Sequence, residues 1–129
     1  MATIRHHARI AAPPEQVWAT VSDPAGIADW FPGLGTVGFD GSVRTIDMGG
    51  LTIREEVVTN DDDLRRFQYR ITEAPMPTEY HLATIDVLDD GDGSLVVYSC
   101  EILPDELKEI LDPTLAGALE GLQRYCEGR

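Results

Sequence analysis

The chain predicts an α+β fold. Three features carry that reading: a series of short alternating segments set between turn signals, one long amphipathic segment at the C-terminal end, and a proline-punctuated block after the first strand. Strands joined in order by short turns make an antiparallel meander, and a following amphipathic helix covers one of its faces. With 129 residues, 43% of them hydrophobic, the sequence fits a single domain over 1–129 whose core needs no covalent staple.

The elements follow in order. From Thr3 to Ile10, Ile4, Ala8 and Ile10 alternate with Arg5, His7 and Arg9, the period of a half-buried strand, and His6 falls on the inward side. Pro13-Pro14-Glu15 stops this strand and opens a helix that carries Val17 and Trp18, since proline at the first helical position is already set for entry. Ser22-Asp23-Pro24 ends that helix and starts a second, which closes on Trp30-Phe31-Pro32-Gly33. A short strand near Val37–Phe39 and the hairpin signal Asp40-Gly41 lead into a strand from Ser42 to Met48. Gly49-Gly50 turns the chain into Leu51–Thr59, and Asn60 to Asp63 forms a solvated turn. In the next strand, Leu64–Thr72, Phe67, Tyr69 and Ile71 alternate with Arg66, Gln68 and Arg70, so one face is wet. The bend Ala74-Pro75-Met76-Pro77 precedes Glu79–Leu88, and Asp89 to Gly93 turns into Ser94–Ile102.

From Pro104-Asp105-Glu106 a helical tail places apolar residues from Leu107 to Cys126 every three or four positions, and Gly128 is a natural stop. Proline inside a helix removes a hydrogen bond and clashes with the preceding turn, so Asp112-Pro113 is expected to kink or break the tail. If Asp112 caps a new segment, Pro104–Leu111 becomes a separate short helix able to act as a flap. Gly117 and Gly121 leave a shallow stripe for close approach to the sheet or to a partner subunit.

Composition excludes several classes. A formal charge of −13 repels phosphate backbones and anionic lipid headgroups, which argues against nucleic acid as a partner. No apolar run reaches the roughly 20 residues of a membrane span, and the N-terminus lacks a signal-peptide core, so a cytoplasmic protein without membrane insertion is expected. Cys100 and Cys126 show no ligand or redox spacing and read as small buried hydrophobes. Asp89-Asp90-Gly91-Asp92-Gly93 resembles a calcium loop, but the glycine and glutamate such a loop needs do not line up from any starting Asp. His6 and His7 point to opposite faces of a strand and cannot hold one metal together. No phosphate loop, nucleophile elbow or His-Glu-x-x-His occurs, and no metal site is expected.

Alternation singles out a few polar residues. If Leu51, Ile53 and Val57 mark the covered side of their strand, Glu55 faces inward and Glu56 faces water. The preceding strand groups Arg44 with Ile46 and Met48, so Arg44 and Glu55 can meet across the sheet; a register slip of one residue puts both in water instead. A buried carboxylate and guanidinium each cost several kcal/mol to desolvate, so they are either a structural pair or a polar anchor for a ligand. His81 shares a side with Ala83, Ile85 and Val87, either as a core histidine or as a general acid or base. Tyr69 and Tyr98 serve as plain packing or as donors to a ligand oxygen. Trp18 reads as core, whereas Trp30 reads equally as packing or as pocket lining.

The block from Ile10 to Pro32, with its two short helices and Trp30-Phe31-Pro32-Gly33 turn, resembles the opening of START-like proteins, the SRPBCC or polyketide cyclase/dehydrase superfamily. Val43-Arg44-Thr45 and the acid Glu55 followed by apolar Val57 match that family's pattern. His81-Leu82-Ala83-Thr84-Ile85-Asp86-Val87 with Val96-Val97-Tyr98-Ser99 is similar to an actinobacterial subgroup. The resemblance implies a helix-grip fold: a curved antiparallel sheet of about seven strands wrapped around the long C-terminal helix, with two short helices after the first strand and a largely apolar cavity between. It implies binding of a small hydrophobic molecule, a polyketide, lipid or aromatic compound. Ile46, Met48, Phe67, Leu111 and Leu115 would form the wall, Arg44, Glu55 and His81 the polar end, and Trp30 the entrance. One alternative makes the same cavity a polyketide cyclase or dehydratase that needs no cofactor. Glu55 or His81 would then move a proton, and Arg44 or Tyr69 would stabilise an enolate-like oxygen. A second alternative is a protein-interaction module. Monomer and homodimer are both compatible with the sequence.

Overall fold

A computed structural model describes residues 1–129. The strands are β1 (Ala2–Ile10), β2 (Val37–Phe39), β3 (Val43–Met48), β4 (Leu51–Asp61), β5 (Arg66–Glu73), β6 (Tyr80–Asp90) and β7 (Gly93–Leu103). Helix α1 (Pro14–Val21) and a 3₁₀ segment (Pro24–Asp29) follow β1, and helix α2 (Lys108–Cys126) ends the chain. All strands join one sheet in the order β1-β7-β6-β5-β4-β3-β2, and every neighbouring pair is antiparallel. The fold is therefore the α+β helix-grip arrangement that the sequence resembled.

The alternation in sequence becomes a two-sided sheet. Phe67 and Tyr69 of β5, and His81, Ala83, Ile85 and Val87 of β6, are buried on the inner face. On the outer face Arg66 pairs with Asp86, Arg70 with Glu56, and Gln68 bridges Thr59 and Thr84. Helix α2 lies against β1 and β7 and buries Leu111, Leu115, Ala118, Leu119 and Leu122. Each of the four leucines, removed from water, contributes roughly 1.5–3 kcal/mol. His6, on the inward side of β1, reaches the Asp112 carboxylate of α2.

Two local features differ from the sequence reading. The backbone of α2 stays helical through Pro113, and the break falls earlier, at a three-residue 3₁₀ turn, Asp105–Leu107. Pro113 sits in the second turn of α2, so the bond it deletes would have served the carbonyl of exposed Glu109, close to solvent where the loss is cheapest. No separate helix over Pro104–Leu111 forms. The second difference is in β4, which runs two residues further, to Asp61. The β4–β5 ladder shifts register twice, leaving Thr72 unpaired on β5 and Val58 unpaired on β4. Each bulge inserts one residue and resets which side chains face inward.

Candidate functional site

Between the inner sheet face and the N-terminal half of α2 lies a cavity of about 120 Å³. Twelve of its 15 lining residues are hydrophobic, Tyr69 among them, and the other three are Glu55, His81 and Thr114. Of the site residues expected from sequence, Ile46, Met48, Glu55, Tyr69, His81, Leu111 and Leu115 line it. Arg44, Phe67, Tyr98 and Trp30 do not.

Arg44 is buried behind Glu55. Register places them opposite each other on β3 and β4, and Arg44 donates from Nε at 2.9 Å and Nη2 at 2.6 Å to the same oxygen, Glu55 Oε1. Its Nη1 donates to the Pro24 carbonyl at 3.2 Å, and its guanidinium lies 5.1 Å from the Tyr69 ring centroid and 5.7 Å from that of Phe67. Phe67 is therefore the floor beneath the ion pair rather than cavity wall. The arrangement consumes Arg44, while Glu55 Oε2 has no protein partner. Burial raises the Glu55 carboxyl above its ordinary range, and Arg44 pulls it part of the way back.

His81 sits where the β5–β6 ladder ends. Pairing stops at Tyr69 opposite Ala83 although both strands continue, and His81 Nδ1 accepts the Ile71 N–H at 3.0 Å in place of a ladder bond. An imidazole that accepts at Nδ1 carries its proton on Nε2, and that donor has no protein partner. Burial lowers this imidazole to about 4, so it is neutral at physiological pH.

Tyr98 lies one layer below. Its hydroxyl bonds that of Tyr69, and burial raises both phenols above their ordinary value. Trp30 is buried beside Phe31, with its backbone carbonyl close to Gly121 of α2 and its Nε1 buried and unpartnered.

Alternation found the wall contributed by strands. It missed Phe31, Leu34 and Met76, which close the cavity from irregular segments without periodicity, and Ile27, on the short 3₁₀ segment. Ile110 and Thr114 of α2 complete the wall, and Ile110 is half exposed, which puts it at the rim. Its position in the helical repeat was the available signal.

A sheet closed by a long helix over an apolar hollow with few polar groups defines a helix-grip protein of the START-like class. The chain belongs to the family described as polyketide cyclase / dehydrase and lipid transport, which it matches over residues 1–127. Among solved structures it is similar to the protein XoxI from Bacillus cereus, at 28% identity over 98% of this chain and 96% of that one, with a TM-score of 0.89. A Bacillus thuringiensis protein is similar at 26% identity, covering 95% of this chain and 97% of its own, with a TM-score of 0.87. The di-domain ARO/CYC BexL from the BE-7585A biosynthetic pathway shares the fold at 17% identity and a TM-score of 0.84, over 98% of this chain and 47% of that chain. Among curated proteins, none matches the sequence.

Proposed function

We propose that this protein binds a small hydrophobic molecule in the cavity between its sheet and α2. The observation that carries the reading is the apolar hollow whose polar lining residues are one acid, one neutral imidazole and Thr114, the pattern by which pockets fix the orientation of an apolar ligand. Family membership supports it, since the family description names lipid transport. At about 120 Å³ the hollow is smaller than most ligand pockets, which run from about 300 Å³ upward. It matches the scale of about 150 Å³ that encloses one benzene ring. The occupant in this conformation is one ring or a short chain, and half-buried Met48 and Met76 are the side chains best suited to yield to something larger.

Native mass spectrometry of the protein purified from its own host tests this directly. A co-purifying small molecule that is lost in a well-folded Met48→Trp variant supports the reading, and equal retention by that variant overturns it.

A second reading, a cofactor-independent cyclase or dehydratase, draws support from Glu55 alone. Its raised carboxyl lines the cavity and keeps one oxygen free of Arg44, as a group that accepts a proton from bound substrate requires. His81, neutral with its proton on Nε2, would donate a hydrogen bond to a substrate oxygen in that scheme. Turnover of a poly-β-ketone surrogate that collapses in Glu55→Gln, with ligand affinity retained, is the result that separates catalyst from carrier.

A further inference from the structure

We infer that the molecule this cavity takes is a neutral, one-ring or similarly small compound bearing a hydroxyl group, and that carboxylates are rejected. The inference rests on the binding reading above and assigns it a ligand class. The sequence left Arg44 and Glu55 open either as a structural pair or as an anchor for a polar ligand group, and an inward arginine in the second role would favour a carboxylate or carbonyl. The geometry removes Arg44 from that role: each of its three nitrogens already donates to Glu55 Oε1 or the Pro24 carbonyl, two aromatic rings cover it, and it does not line the cavity.

Two of the residues that line the cavity instead carry uncommitted polar atoms: an acceptor, Glu55 Oε2, and a donor, the Nε2–H of His81, neither of which has a protein partner. A carboxylate brought here meets another carboxylate and has no free cation, in a chain whose net charge is already −13. A protonated amine fares little better, because Arg44 already neutralises the charge of Glu55 and leaves an acceptor without net attraction. A hydroxyl fits both groups. It can donate to Oε2 or accept from the imidazole, and it brings no charge into a hollow whose other lining residues are Ile, Leu, Met and Phe with Tyr69 and Thr114.

The test uses the intact chain and four probes of one shape, 4-methylphenol, toluene, 4-methylbenzoate and 4-methylbenzylamine, titrated by calorimetry at pH 7.5. A hydrogen bond to a charged acceptor is worth about tenfold or more in affinity. We therefore expect 4-methylphenol to bind at least about tenfold tighter than toluene, with both ions weaker than the phenol. Toluene as tight as the phenol overturns the hydroxyl assignment while leaving an apolar binding site intact. An ion that outbinds the phenol overturns it on charge. Failure of both toluene and the phenol to bind overturns this inference and the binding reading together. Glu55→Gln adds a check: within that variant the phenol's advantage over toluene should shrink, since a neutral amide oxygen accepts more weakly than a carboxylate. Should that variant not fold, the comparison among probes on the unaltered chain decides by itself.

Discussion

Arg44 and Glu55 are locked to each other through a single carboxylate oxygen, with Nε at 2.9 Å and Nη2 at 2.6 Å from Oε1, both side chains being almost wholly removed from water. Neither charge survives there alone. Removing one partner of a buried pair typically costs about 3–5 kcal/mol, whereas replacing both by apolar groups costs far less. Arg44→Met should lower the unfolding free energy in urea by about that amount, and the double variant Arg44→Met with Glu55→Leu should recover most of it.

The single variant should also become pH-sensitive. Without Arg44 to oppose burial, the folded-state pKa of Glu55 rises further above its unfolded value near 4.5. A group with a raised folded pKa contributes stability that is present below the unfolded value and lost as pH climbs through the folded one. Arg44→Met should therefore lose stability, relative to the unaltered chain, as pH climbs above the unfolded value near 4.5. Parallel pH profiles for the two would show that Glu55 is not left stranded.

This pair illustrates what the sequence exposes and what it hides. Strict alternation along Val43–Met48 and Arg66–Glu73 was enough to turn Arg44, Phe67 and Tyr69 inward, and it placed Glu55 correctly on β4. The same rule fails three residues later, because Val58 is an extra residue in a bulge. Its side chain is left 46% exposed, and Asn60 rather than Thr59 stands opposite Phe67. Whether Arg44 touches a ligand depended on the Pro24 carbonyl, 20 residues away in sequence, which no local pattern reveals. The chain segments that seal the cavity, around Phe31 and Met76, are irregular for the same reason that loops resist reading: their positions come from tertiary contacts and carry no period.

Acid should weaken the fold through His81. The imidazole titrates near 6.5 when unfolded and at about 4 when folded, so folding favours its neutral form. The resulting stability is complete above pH 6.5 and is lost as pH falls toward 4, a total of about 3 kcal/mol at 1.36 kcal/mol per pH unit. Glu55, on the same cavity, works in the other direction over the lower part of that range, since its raised carboxyl gains a proton more readily in the folded state. Urea midpoints at several pH values should fall more steeply between pH 6.5 and 5 for the unaltered chain than for His81→Gln, which keeps an acceptor for the Ile71 N–H. Equal slopes would mean that the imidazole takes up its proton as readily in the folded protein as in the unfolded chain.

The two thiols should be inert until the protein unfolds. Burial pushes the Cys100 thiol up to about 12 and raises that of Cys126, so neither offers an appreciable thiolate at neutral pH. Labelling by a disulfide reagent at pH 7.5 should proceed only as fast as global opening. A rapid phase equal to one thiol in native buffer would place Cys100 or Cys126 in a mobile or open region instead.

Gly117 and Gly121 lie one turn apart on α2, yet only one of them is there for close approach. A Cβ at Gly121 would stand 2.2 Å from the Trp30 carbonyl oxygen and 3.4 Å from Pro32 Cδ, whereas a Cβ at Gly117 meets nothing within 4 Å. The stripe therefore seats the Trp30–Pro32 turn on the helix, and it makes no contact of this kind with the sheet. Alanine is favoured over glycine inside a helix by up to about 1 kcal/mol, so Gly117→Ala should stabilise the protein by some part of that. Gly121→Ala gains the same propensity but forces α2 and the turn apart, and overpacking of this kind costs about 1–3 kcal/mol. Thermal unfolding of the two variants should move in opposite directions from the parent. Because the turn that Gly121 seats also carries Phe31 and Leu34 of the cavity wall, Gly121→Ala should weaken ligand binding where Gly117→Ala leaves it unchanged.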